Sequence, residues 1–214
     1  MDADFALPIN LHTRCDAPIG VSSMGNHHMH GENPHESMDF SRSVGQIHTL
    51  KAGLDPTQPW VRTAASRSEG SFFVIKFAKK IFLITNHHCI SGAAKISVSF
   101  PKYGKKKFAV RIVADSSERD LTLLRLSGKE DLDLIPLKIA NSDKVASGTP
   151  VLAVGYPLGM SGQKITEGVM SGFEMMHGLS YLETDTSLNP GNSGGALLQK
   201  IGEEFQVVGI NNVS

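Results

Sequence analysis

The feature that most limits what this chain can fold into is the length of its apolar runs. From Ser43 onward they are short, they are broken by Gly, Asn and Lys-rich turns, and no sustained 3.6-residue stripe joins them. Runs of this kind occupy Ser71 to Phe77, Ile81 to Thr85, Lys95 to Phe100, Phe108 to Ala114 and Leu121 to Leu126. They resume after Pro136, at Val151 to Gly155, Ile165 to Met175, Tyr181 to Thr184, Gly195 to Leu198 and Phe205 to Ile210. Many short strands with frequent turns predict an all-β sandwich or barrel. The stretch 129–143 is more charged and contains Pro136, which suits a linker between a first β-barrel at 44–128 and a second at 144–214. Residues 1–43 hold Pro8, Pro18, Pro34 and five histidines without a period, so a disordered tail is expected there, one that hydrolysis does not need.

Composition narrows the function classes. Twenty-one Lys and Arg balance twenty-one Asp and Glu, so nothing favours nucleic acid or an anionic membrane. No run approaches the ~18 apolar residues of a membrane span. Two cysteines, Cys15 and Cys89, make no disulfide framework. Together with an acidic Met1-Asp2-Ala3-Asp4 start that lacks a signal pattern, they predict a cytoplasmic or nuclear setting. The cluster Asn26-His27-His28-Met29-His30 invites a metal reading, but a flexible tail fixes no ligand geometry, so neither metal nor cofactor is expected.

Chemistry concentrates in Asn189-Pro190-Gly191-Asn192-Ser193-Gly194-Gly195. Glycines around a serine allow a tight turn that exposes the hydroxyl beside backbone N–H groups, which is what an acyl-transfer nucleophile needs. Taken alone, the same string also reads as a glycine-rich hairpin turn. A serine nucleophile needs a base, and of nine histidines only His87 and His88 follow directly on a buried strand. The base needs an orienting acid, and Asp120 heads the strand Leu121 to Leu126.

Thr85-Asn86-His87-His88-Cys89-Ile90, Arg119 to Leu124 and Thr184 to Gly195 resemble, in that order, the three signature blocks of the HtrA/Deg serine peptidases. Gly148 to Pro157, Ile165 to Gly172 and Val207 to Asn211 resemble their supporting strands, and Pro59-Trp60 is similar to a pair in the eukaryotic Deg branch. The resemblance implies two packed antiparallel β-barrels of the trypsin-like fold with a cleft between them. It implies His88 as base, Asp120 as acid and Ser193 as nucleophile. The N–H groups of Gly191 and Ser193 would form the oxyanion hole. Ser187, Leu188 and Asn189, with Gly209, Ile210 and Asn211, would border the substrate pocket. Polypeptides would be the substrates, with a preference for small or medium aliphatic side chains, and a homotrimer is the family's habit.

Three positions depart from the pattern. His87 stands where a small residue is usual, Phe72 where a glycine is usual, and Cys89 has no upstream partner, which suits a small buried apolar residue. Crowding at His87 and Phe72 keeps a rival in view, an inactive pseudoprotease that binds peptides without cutting them. The second barrel also shows five strands where six are expected. The chain is therefore read as a fragment, or as a fold whose gap is filled by residues 136–140 or by a partner strand.

Overall fold

The computed structural model describes residues 12–14, 38–54, 62–128, 130–157, 162–176 and 179–213. Its elements are strands β1 (His12–Arg14), β2 (Val44–Leu54), β3 (Arg62–Phe77) and β4 (Lys80–Thr85), a one-turn helix α1 (His87–Ile90), then β5 (Ala93–Ser99), β6 (Phe108–Ser116), β7 (Leu121–Leu126), β8 (Lys138–Ile139), β9 (Pro150–Gly155), β10 (Lys164–Met176), β11 (Leu179–Thr184), β12 (Ala196–Ile201) and β13 (Glu204–Asn211).

The first six long strands close into an antiparallel barrel in the order β2-β3-β4-β7-β6-β5. Its wall at β3 and β4 is buried on both faces, and the two-residue period of a strand sorts the side chains between them. Phe72, Val74 and Leu83 fill the first barrel. Phe73, Ile75, Phe82 and Ile84 point the other way, into a second core shared with Val151, Val154, Leu197 and Val208. Two buried faces explain why these strands read as unbroken apolar runs rather than as alternation. The turn between them, Ala78-Lys79, takes positive φ at both positions (46° and 64°), the geometry of a tight hairpin whose twist matches its strands.

The second sheet runs β11-β10-β9-β12-β13, with β8 on the outer edge of β13. β1 pairs in parallel with both β11 and β13, so the sheet curls round on itself. The sixth-strand position is thus taken by residues 12–14. The segment expected there supplies β8 instead, through Lys138↔Gln206 and Ile139↔Val207.

The disordered tail expected over 1–43 lies mostly outside the described residues, as do Pro59-Trp60, Cys15 and the His-rich cluster. Residues 12–14 form a strand, and Phe40 is buried with its ring edge-on to Phe205 at 5.8 Å. Ser43 is buried too, and its hydroxyl donates to Ile135 O at 2.7 Å. Short polar surroundings concealed this anchor, because one aromatic residue gives no periodic signal. Phe72 crowds nothing catalytic. Its ring packs edge-on against Phe100 at 5.0 Å and fills the space above Gly45, where a Cβ would meet Phe72 Cζ at 2.4 Å and Ser99 O at 2.5 Å.

Candidate active site

The site lies where both cores meet. β4 ends at Thr85, which is fully buried and donates its hydroxyl to Ser71 O at 2.8 Å. Asn86 stays extended (φ −74°, ψ 149°) and opens α1. Its side chain does not cap that helix. It donates instead to Asp120 O at 3.0 Å, across to the β6–β7 turn. Asp120 has φ +46°, a left-handed conformation that costs a non-glycine residue of order 1 kcal/mol and persists where neighbours enforce it.

The neighbours are explicit. Asp120 Oδ1 accepts from His88 N at 2.8 Å, and Oδ2 accepts from His88 Nδ1 at 2.6 Å. Asn212 Nδ2 adds a bond to Oδ2 at 3.3 Å. A carboxylate only accepts, so Nδ1 carries the proton and Nε2 is left for other chemistry. The bond from Asp120 chiefly, with Cys89 also contributing, raises His88 to about 10, and burial acts in the opposite direction.

Ser193 sits in a loop pinned to both barrels. Ser193 O accepts from Ser71 N at 2.8 Å on the first barrel, and Gly194 N donates to Asn211 O at 2.9 Å on the second. Ser71 Oγ donates to Gly191 O at 2.7 Å and accepts from Tyr156 N at 2.8 Å. Gly194 has φ +85°, and a Cβ there would lie 2.2 Å from Ser71 O and 2.4 Å from Thr85 Oγ1. No other residue fits this turn at its present approach to β3.

The structure brings Asp120 and His88 into contact, but among the described residues no hydrogen bond joins Ser193 to His88. Ser193 Oγ instead accepts from Val213 N at 3.1 Å and lies 3.4 Å from Val213 O. His87 does not crowd His88, because its Nδ1 bonds Asp115 Oδ1 at 2.9 Å. Cys89 is a free, buried thiol whose Sγ lies 3.6 Å from Ser193 O.

The expected pocket residues divide. Ser187 and Asn189 are exposed, and Leu188 is half-buried against the second core. Gly209, Ile210 and Asn211 are buried in β13. Ile210 lies in the core, while Asn211 Nδ2 is 3.4 Å from both Val154 O and Ala196 O, tying β13 to its neighbours. Sequence reasoning missed Ser71, Asn86 and Asn212 as supports. Their signal is weak because their partners, Gly191 and Tyr156 for Ser71 and Asp120 for both asparagines, are distant in the chain. Among the described residues no three His, Cys, Asp or Glu side chains gather as metal ligands.

The trypsin-like peptidase domain profile matches residues 36–210. The chain belongs to the trypsin-like peptidase family. Its relatives are of the HtrA/Deg type. It is 35% identical over 151 residues to the probable periplasmic serine protease do/HhoA-like of Haemophilus influenzae, covering 68% of this chain and 30% of that one. It is 37% identical over 143 residues to the periplasmic pH-dependent serine endoprotease DegQ of Escherichia coli, covering 64% of this chain and 30% of that one. This trypsin-like chain thus spans under a third of either relative's length. Among solved structures, the HtrA-type protease AlgW with decapeptide superposes with a TM-score of 0.63 at 27% identity, covering 81% of this chain and 56% of that one.

These relatives overturn the cytoplasmic or nuclear expectation, since their names place them in the periplasm and point to a secreted or periplasmic location. The cysteine count misled for a physical reason. Two barrel cores hold this fold together, and Cys89 is merely part of one, so few disulfides are needed in any compartment.

Proposed function

We propose that this chain is the peptidase domain of a serine endopeptidase working outside the cytoplasm, cleaving polypeptides through an acyl-enzyme. His88 Nε2 takes the Ser193 hydroxyl proton as Oγ attacks the scissile carbonyl. The oxyanion forms against the N–H groups of Gly191 and Ser193, and His88 returns the proton to the leaving amine. Water then enters by the same route. Asp120 holds the imidazole tautomer throughout.

The observation that carries this reading is the Asp120–His88 pair. A buried asparagine holds the acid in a left-handed conformation, and both its oxygens face one histidine, beside a serine loop rigid on two barrels. The attack requires Ser193 Oγ to leave Val213 and turn to His88. Crowding, which motivated the pseudoprotease rival, is relieved by the observed positions of His87 and Phe72.

Substrate choice follows from the acids near the loop. Asp185 Oδ1 is bonded to Val169 N at 2.6 Å, so it does not stand ready as a selector for Lys or Arg. With Leu188 nearby, small or medium aliphatic residues are expected before the cut bond, and a peptide library dominated by basic residues there would contradict this. The direct test of the mechanism is Ser193→Ala. It should abolish casein cleavage, a loss on the order of a million-fold for a triad nucleophile, while circular dichroism stays unchanged. Casein turnover retained by the variant would end the reading.

A further inference from the structure

Asp115 and Asp120 stand on one β-hairpin, at the end of β6 and in the turn before β7, and each grips one of two successive histidines. His87 Nδ1 lies 2.9 Å from Asp115 Oδ1 and 3.0 Å from Oδ2. Asp115 Oδ1 also accepts from Thr122 Oγ1 at 2.5 Å. Thr122 is fully buried and is paired in the sheet with both Asp115 and Thr85, the last residue of β4. Burial pushes the Asp115 carboxyl up, but the bonds from Thr122 and His87 outweigh it and hold the group below its usual value. Asp115 is therefore an ionised acceptor at neutral pH, and His87 Nδ1 donates to it.

Resting on the serine-peptidase reading, we propose that His87 and Asp115 are positioning residues for His88, a second clamp that fixes α1 to the β6–β7 hairpin. The physical need is plain. α1 has four residues, so only one internal bond, Ser91 N to His87 O, closes its turn. A helix that short holds no orientation by itself. Thr85 anchors one side of it through β4, and Cys89 and Ile90 are buried beneath it. Among the described residues, the exposed side, which carries the His88 ring, is hydrogen-bonded through the hairpin. With one clamp, at Asp120, the ring can rock about that contact. With two clamps five residues apart on the same hairpin, the helix and the acid move as a unit and Nε2 keeps its aim. His87 touches no reacting atom, so its effect passes entirely through α1.

The test uses the 214-residue chain with rates normalised to the fraction of Ser193 labelled by a fluorophosphonate, which separates misfolding from misalignment. His87→Ala should lower kcat on fluorogenic casein about tenfold per labelled site, the scale of a small misalignment of reacting groups, with KM little changed. It should also move the pH midpoint of kcat/KM, which reports the free enzyme's base. His87→Asn puts an amide N–H near the place of Nδ1 and should restore kcat to within about threefold of wild type. Combined with Asp115→Ala, which also frees the Thr122 hydroxyl, His87→Ala should add no further loss beyond that of Asp115→Ala alone, because both remove one clamp. A per-site kcat and a pH midpoint in His87→Ala equal to wild type would overturn the clamp while leaving the peptidase reading intact. A wild-type chain that neither labels at Ser193 nor cuts casein would overturn both.

Discussion

Asp120 accepts three hydrogen bonds at its carboxylate and one at its carbonyl, and His88 accordingly stays protonated far above its ordinary range, to about 10. The sign of the consequence is fixed. Below about 6.5, the unfolded value, the charged pair contributes its full stability, and this is lost as pH rises through about 10. A base that must be neutral to act gains activity over the same window. The peptidase should therefore show kcat/KM rising from neutral into alkaline pH, and Asp120→Asn should shift that rise to lower pH while cutting the maximum. A pH profile that the substitution leaves unmoved would contradict the pairing. Gly194 makes the second prediction at this scale. An alanine there meets Ser71 O and Thr85 Oγ1 in a left-handed turn, so Gly194→Ala should destabilise by on the order of 3 kcal/mol. Thermal unfolding reads this, and an unchanged midpoint would show that the loop relaxes freely.

At the scale of elements, the strands with both faces buried were the legible ones. Ile81 to Thr85 reads as a strand because its apolar residues are nearly continuous, Leu121 to Leu126 because its leucines recur densely, and β4 and β7 occupy those stretches. β2 was harder to see, since His48 and Thr49 interrupt it and its polar residues pair across to Glu69 and Ser68. β8 is two residues long, and β1 lies in a stretch without any period, so neither carries a pattern to read. The Ala78-Lys79 turn lacks the Asn-Gly signal that its geometry favours. The proposed serine stands out by its flanking glycines, the histidine by following a buried strand and the aspartate by heading one. The supporting Asn86 and Asn212 escaped notice because their partners are brought near only by folding. Phe40 tests how far the ordered part extends toward the N-terminus. It is 7% exposed and packs on Phe205, so Phe40→Ala should cost about 3 kcal/mol. Unfolding in urea at the wild-type midpoint would argue that residues before β2 contribute nothing.

For the molecule as a whole, the two barrels meet along a shared core, and the serine loop is bonded to both of them. That junction ties the loop of Ser193 to the barrel that carries His88 and Asp120, which lie far from it in the chain. It also means that the nucleophile's surroundings depend on the barrels staying packed, because Ser71 on the first barrel holds Gly191 O and Ser193 O of the second. The observed partner of Ser193 Oγ is Val213, so the proposed mechanism has this hydroxyl turn to the histidine when substrate arrives. The measurement that bears most directly on the account is labelling of the chain with a fluorophosphonate, followed by mass spectrometry of the modified peptide. The account predicts one phosphonyl group on Ser193, lost in His88→Ala. A chain that remains unlabelled, or labels equally well without His88, would contradict it.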